Sequence, residues 1–233
     1  MDIAEKTLQL KQDFDDVYEA GKKSQYDEFW DNFQEEGNLQ NYSRRFANWR
    51  SKILRPKYDI KPSRVDYMFL DIFPDYRSKG YSIKKCFAEA GITLDTSLCT
   101  KFEYMIYYGY ATDVPDLDTR NASSLNAIFN YARMLQSAKL IVKNDGSQTW
   151  NNSFESASAL MNFEIEGVIG NNFDIHYSSQ LTKASIESIV NALSNTTTGK
   201  TVTFNKTAKT NAFTDSEWAT LIATKPNWTF SLA

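Results

Sequence analysis

The feature that most constrains this chain is a unit that returns every 20 to 25 residues. Its marker is an aromatic residue preceded by a small or apolar one and followed, some way on, by an apolar stretch. Cys86-Phe87 leads to Ile92-Thr93-Leu94, and Ile106-Tyr107 to Val114 and Leu117. Ile128-Phe129 leads to Leu135 and Leu140-Ile141-Val142, and Ser153-Phe154 to Leu160 and Phe163-Glu164-Ile165. With Phe87, Tyr107, Phe129 and Phe154 as anchors, the steps are 20, 22 and 25 residues. The last two units match best, with a leucine six residues after the anchor and a strand-like apolar residue eleven after it. An earlier unit starts at Met68-Phe69, and a modified last one runs from Ile189-Val190 through Leu193 to Val202-Thr203-Phe204.

One such unit cannot bury its own apolar side. Stacking several produces a continuous core and a parallel ladder of short strands. The spacing is that of leucine-rich repeats, although the strict Leu-x-x-Leu-x-Leu-x-x-Asn pattern is absent. Each unit is expected to hold a short helical piece around its anchor, then a strand. The expected fold is an α/β solenoid: an irregular leucine-rich-repeat stack with short parallel strands, preceded by an N-terminal helical segment. Residues 1–62 read as a helical leader and extended connector, and residues 63–233 as the solenoid with a C-terminal cap.

In the leader, Ile3, Leu10 and Val17 fall seven residues apart, a short heptad-like stripe. Tyr26, Phe29, Trp30 and Phe33 share one face of a second helix, and Phe46 and Trp49 mark a third. The heptad-like stripe either joins a bundle of copies, which makes residues 1–50 a handle for homo-oligomerisation, or packs on the following helix. Pro56 and Pro62 then bracket alternating Tyr58 and Ile60, which reads as an extended connector or edge strand. At the other end Thr182 is placed to cap a helix, with Leu181 and Ile186 as a hydrophobic staple. Phe213 and Trp218 bracket Thr214-x-x-Glu217, a capping box that predicts a helix over about 215–223. Trp228-Thr229-Phe230 alternates as a terminal strand that closes the stack.

These residues resemble the irregular leucine-rich repeats of BspA-type proteins from gut Firmicutes and their prophages. The cycle of anchor, hydrophobic residue and strand such as Lys139-Leu140-Ile141-Val142 carries the likeness. Leu181 to Leu193, Gly199 to Phe204 and Phe213 to Trp218 are similar to the closing segment of such proteins, and Tyr26 to Trp49 with Arg55-Pro56-Lys57-Tyr58 to their leader. The chain departs from the family in its worn repeats, with Tyr107 in place of Phe and no second leucine in the first units. The resemblance implies a non-enzymatic bacterial or prophage adhesion module that binds a protein or glycan, the alternative being a phage or cell-surface structural component assembled through the N-terminal helices. It also implies a virion or cell-surface location, the alternative being the cytoplasm.

Chemistry-bearing motifs are sparse. The single histidine, His176, has Asp174 two residues away but no nucleophile motif beside it, so a surface role is expected. Cys86 and Cys99, thirteen residues apart, fit no zinc spacing and read as small buried hydrophobes. Gly167-Val168-Ile169-Gly170-Asn171-Asn172 reads as a turn between strands. Gly199-Lys200-Thr201 ends like a phosphate loop, but Ser194 stands where the first glycine is required. Asp116 and Asp118 flank Leu117 and are expected to point to solvent. No catalytic, cofactor or metal residue is expected. The net charge of -3 and the basic run Arg44, Arg45, Arg50, Lys52, Arg55 and Lys57, preceded by acids, give no nucleic-acid footprint. No run of 18 apolar residues spans a membrane, and Met1 to Gln12 lacks the apolar core of a signal peptide. The sequons at Asn41, Asn121, Asn151, Asn195, Asn205 and Asn227 read as chance in an Asn/Ser/Thr-rich chain. What stands out is Tyr104, Tyr107, Tyr108 and Tyr110. Aromatics of this kind pack in cores or offer a face that stacks on sugars and proteins. With Tyr107 in the anchor column, Tyr108 and Tyr110 are the expected ligand-binding residues.

Overall fold

The structure is a computed structural model that describes residues 58–65, 80–90 and 92–233. The leader helices, the heptad-like stripe and the unit at Met68-Phe69 lie outside the described residues. So does the oligomerisation handle over 1–50.

Every strand pairing that the structure describes is parallel. Strand β1 (Tyr58–Ile60) pairs with β3 (Ile92–Leu94), so the segment around Tyr58 and Ile60 is the strand of the two sequence alternatives. Between them lie β2 (Tyr81–Ser82) and helix α1 (Ile83–Ala90), which carries the first anchor, the buried Phe87. Then come β4 (Ala111–Asp113), β5 (Leu117–Asp118), β6 (Ser137–Ile141) and β7 (Asn162–Glu166). β6 is the hub of this sheet: β4 and then β5 lie along one edge, and β7 along the other. The third sheet joins β8 (Phe173–Asp174), β9 (Lys200–Phe204) and β10 (Trp228–Leu232) in the order β10-β9-β8. Helices α2 (Lys183–Ala192), α3 (Lys206–Ala212) and α4 (Asp215–Ala223) fill the connections. None of the sheets closes on itself.

The pairings show how the chain returns. Ser137 pairs with Asn162 and Ser124 with Thr149, the same step along the chain in both cases. Asp113 pairs with Ser137 and Ile169 with Leu193, a step only one residue shorter. The C-terminal strands step further, from Phe173 to Val202 and from Lys200 to Trp228. Alternation along β7 buries Phe163 and Ile165 and exposes Asn162, Glu164 and Glu166. The buried members join one core, in which Phe154 touches Phe129, Trp150, Phe163 and Phe173.

Only the first anchor sits in a helix. At the next three the chain makes consecutive turns, and the helical pieces expected there do not form. Tyr104 and Tyr108, Ala127 and Tyr131, and Asn152 and Ser156 all adopt positive φ between 51° and 59°. The two members of each pair are four residues apart, and one pair occurs in each of three successive coils. Left-handed backbone in non-glycine residues breaks a helix at each occurrence. This register puts Ile106, Phe129 and Phe154 in one column, each completely or nearly buried. Tyr107 therefore lies one residue past the anchor column, and its ring is half-buried rather than central to the core.

The odd amides of the middle unit leave their own coil. Those of Leu125, Ala127, Phe129 and Tyr131 donate to the carbonyls of Thr149, Asn151, Ser153 and Glu155 at 2.7–2.9 Å. The even amides of Ile128, Asn130 and Ala132 close turns on their own coil at 3.1–3.2 Å. Buried hydroxyls and amides add further links between coils. Thr119 Oγ1 donates to Ile141 O, Ser153 Oγ to Leu125 O, Ser178 Oγ to Ala157 O, and Gln148 Nε2 to both Thr119 O and Ala122 O. A buried polar atom without a partner would be costly, so each of these bonds fixes how one coil sits on the next. Two glycines serve the same close approach. A Cβ on Gly167 would lie 2.4 Å from Val142 O, and one on Gly170 would lie 2.5 Å from Gly146 O.

Candidate functional site

The tyrosines gather on the turns just described. The left-handed backbone at Tyr108 and at Tyr131 places the two side chains at the same point of successive coils. Their rings stack at 4.9 Å with an interplanar angle of 27°. Tyr107 sits edge-on to Tyr104, Tyr108 and Tyr131 at 5.1, 4.5 and 5.8 Å. Edge-to-face and offset stacking are the favoured arrangements of aromatic quadrupoles, so the four rings support one another. Tyr108 keeps 45 % of its surface exposed, one of the few large hydrophobic side chains so open among the described residues.

Polar groups rim the rings. The Arg133 guanidinium lies 5.6 Å from the Tyr131 ring centroid, a cation–π distance. Asn130 Nδ2 donates to Glu155 Oε2 at 3.0 Å and to Asn152 O at 3.3 Å, and the Tyr131 hydroxyl reaches Glu155 Oε1 at 3.5 Å. The Glu155 carboxylate, with help from Tyr108 and burial, pushes the Tyr131 phenol above the usual range. Burial, followed by the hydrogen bond with Tyr108, does the same for Tyr107. Both phenols stay protonated at neutral pH and can act as neutral hydrogen-bond donors. The patch is thus an aromatic surface edged by a cation and a carboxylate, with the buried Asn130 amide bracing the carboxylate from below.

Of the two ligand residues expected from sequence, the structure puts Tyr108 at the exposed edge of this cluster. Tyr110 is half-buried, and the ring contacts that define the cluster involve Tyr104, Tyr107, Tyr108 and Tyr131. Sequence reasoning misses Tyr131. The signal that finds it is its place one coil after Tyr108, which appears only once the repeat register is right by one residue.

The remaining chemistry-bearing residues are accounted for locally. Asp174 Oδ1 lies 2.7 Å from His176 Nδ1 and also accepts from the His176 amide, a short turn held by its own side chain. Asp116 pairs with Lys84 at 3.0 Å and Asp118 with Arg120 at 2.6 Å. Cys99 is buried with its Sγ 2.9 Å from the Pro62 carbonyl. Gly167 to Asn172 links β7 to β8 through two bends, and between them Ile169 bridges in parallel to Leu193, which a simple turn does not do. Among the described residues no three His, Cys, Asp or Glu side chains gather in a metal-binding group, and no helix is long and apolar enough to cross a membrane. No protein-family model, no curated protein and no solved structure matches the chain.

Proposed function

We propose that residues 63–233 form an irregular leucine-rich-repeat solenoid that works as a binding module without a catalytic step, taking a protein or glycan on the face carrying Tyr108 and Tyr131. The observation that carries the reading is the stacked pair at 4.9 Å, rimmed by Arg133 and Glu155, on turns that recur with the repeat. Rigid aromatics with an apolar body and a polar tip supply contact area at low entropic cost, and they dominate interaction hot spots. The parallel pairings at a nearly constant step along the chain support the solenoid part of the reading. The local pairing of Asp116, Asp118 and Asp174 with basic partners favours binding over acid–base chemistry. The resemblance to BspA-type surface proteins points the same way.

A glycan array and a pull-down from bacterial and host surface fractions test this together. The expected outcome is a ligand in one of them whose binding is lost in the Tyr108→Ala/Tyr131→Ala double variant while the thermal midpoint stays within a few degrees. A ligand that binds the double variant equally well, or no ligand in either screen, refutes the proposed face.

A further inference from the structure

Among the described residues, strand β10 has β9 on one side and no strand on the other. On the paired side it runs parallel to β9 from Trp228↔Lys200 to Leu232↔Phe204. The Ala233 amide donates to Phe204 O at 3.0 Å, and Ala233 O accepts from Lys206 N at 2.9 Å. Alternate residues of a parallel strand face opposite neighbours. Thr229 and Ser231 therefore turn their backbone groups to β9 with Ala233, whereas Trp228, Phe230 and Leu232 turn theirs away. The Trp228 amide is already used, donating to Lys225 O at 3.1 Å. What faces outward is the N–H of Phe230 and Leu232 and the C=O of Trp228, Phe230 and Leu232.

The molecule closes a comparable edge elsewhere. Beyond β7, helix α2 brings the Ser185 and Ser188 hydroxyls to the amides of Phe163 and Ile165, at 2.8 and 3.0 Å. At β10 no described residue bonds the outward groups. Exposed edges are commonly protected by a charge, a proline or a bulge, and Trp228-Thr229-Phe230-Ser231-Leu232 has no charge and no proline. Its register with β9 is unbroken. Leu232 is 40 % exposed on the face shared with Phe230, which is half-buried 6.0 Å from Trp218.

We propose that this edge pairs with the same edge of a second copy of the chain, antiparallel, about a two-fold axis through Phe230. The outward pattern is self-complementary in that arrangement. Phe230 exchanges two bonds with the partner's Phe230, and each Leu232 N–H meets the carbonyl of the partner's Trp228, the very residue whose own amide is occupied. Four main-chain bonds result, and each exposed Leu232 comes to lie across from an indole. An isologous contact of this kind needs no second type of surface. The interface is small, so association is weak.

Sedimentation equilibrium of the full chain, with amide exchange of Phe230 and Leu232 at low and high concentration, tests the pairing. The apparent mass should rise toward double, and the two amides should slow as concentration increases. Leu232→Pro removes only an outward N–H, and Leu232→Lys adds an edge charge. Each should weaken dimerisation at least about tenfold with the fold intact by circular dichroism. The proposal is overturned by a chain that stays monomeric throughout. It is equally overturned by both variants dimerising like the parent, which would put the contact elsewhere, residues 1–50 included. Slow exchange already at the lowest concentration also overturns it, because the edge would then be covered by its own chain.

Discussion

The coils from Thr96 to Glu166 and the closing unit from Phe173 to Leu232 meet the same demand by different means. Both must satisfy backbone groups while returning the chain to lie parallel to itself. The coils do so with turns, left-handed residues and buried side chains that reach the neighbouring coil, as Thr119, Gln148 and Ser153 do. The closing unit uses capped helices and regular strands. Thr182 accepts from the Ser185 amide, Asn205 from the amides of Thr207 and Ala208, and Thr214 and Glu217 form a reciprocal capping box. It also spends one lysine at a helix end: the buried Lys225 ammonium donates to Asn191 O, Leu193 O and Asn195 Oδ1, at the C-terminus of α2. Burial pushes this lysine below its ordinary range, while the three acceptors and the negative end of the helix dipole hold its charge. The coils satisfy their backbone largely through neighbouring coils, whereas the closing unit adds local helix caps to a few long-range ties such as Lys225 and the Lys183–Glu217 pair. The candidate binding face sits on the neighbour-dependent part.

The comparison can be broken most severely at Phe154. Its ring is 1 % exposed and touches four other aromatics drawn from three coils. Phe154→Ala should cost about 3–5 kcal/mol in urea unfolding, with the loss spread over neighbouring coils. Lys225→Ala strikes the closing unit instead and leaves three acceptors without their donor. A loss of about 2–3 kcal/mol is expected, read as faster amide exchange concentrated in α2 and β10.

The capping box gives a smaller effect. Thr214→Ala should cost about 1 kcal/mol by thermal unfolding. It also has a pH signature. The Lys183 ammonium first, and then the Thr214 amide and hydroxyl, hold the Glu217 carboxyl at about 2. Lys61, with Ser97, holds Asp95 at about 2. Both are depressed in the folded state, so their stabilisation is present above the ordinary carboxylate values and fades as pH falls toward about 2. The thermal midpoint should therefore drop through that acid window, and Glu217→Gln should flatten part of the slope. An unchanged slope would remove Glu217 from the account. The smallest effect belongs to Tyr108→Ala, which should lower stability by about 1 kcal/mol or less by calorimetry while abolishing ligand binding. A large destabilisation would make Tyr108 a structural residue instead.

What could be read from the sequence follows the same division. The closing unit is legible because its signals are local. The Thr214-x-x-Glu217 box, the staples and the alternation at Trp228 specify α4 and β10 without reference to distant residues. The strands at Leu140, Ile165 and Val202 are legible from apolar spacing. The register of the coils is harder. Positive φ at Tyr104, Tyr108, Ala127 and Tyr131 has no glycine to announce it, and at Tyr104, Ala127 and Tyr131 it accompanies amides that donate to the next coil. Aligning on aromatics alone puts Tyr107 in the core column, where Ile106 belongs, and hides the equivalence of Tyr108 and Tyr131. That equivalence makes the candidate face two coils wide, with Tyr110 peripheral to it.

The alignment of Tyr108 with Tyr131 depends on a fixed register between successive coils. Scalar couplings across hydrogen bonds, measured by NMR on deuterated protein, test it most directly. A coupling is expected from the Tyr104 amide to the Ala127 carbonyl, the bond that seats the Tyr108 coil on the Tyr131 coil, and, in the next layer, from the amides of Leu125, Ala127, Phe129 and Tyr131 to the carbonyls of Thr149, Asn151, Ser153 and Glu155, one constant step for these four. Couplings to carbonyls at another step, or rapid solvent exchange of these four amides in the folded protein, would contradict it.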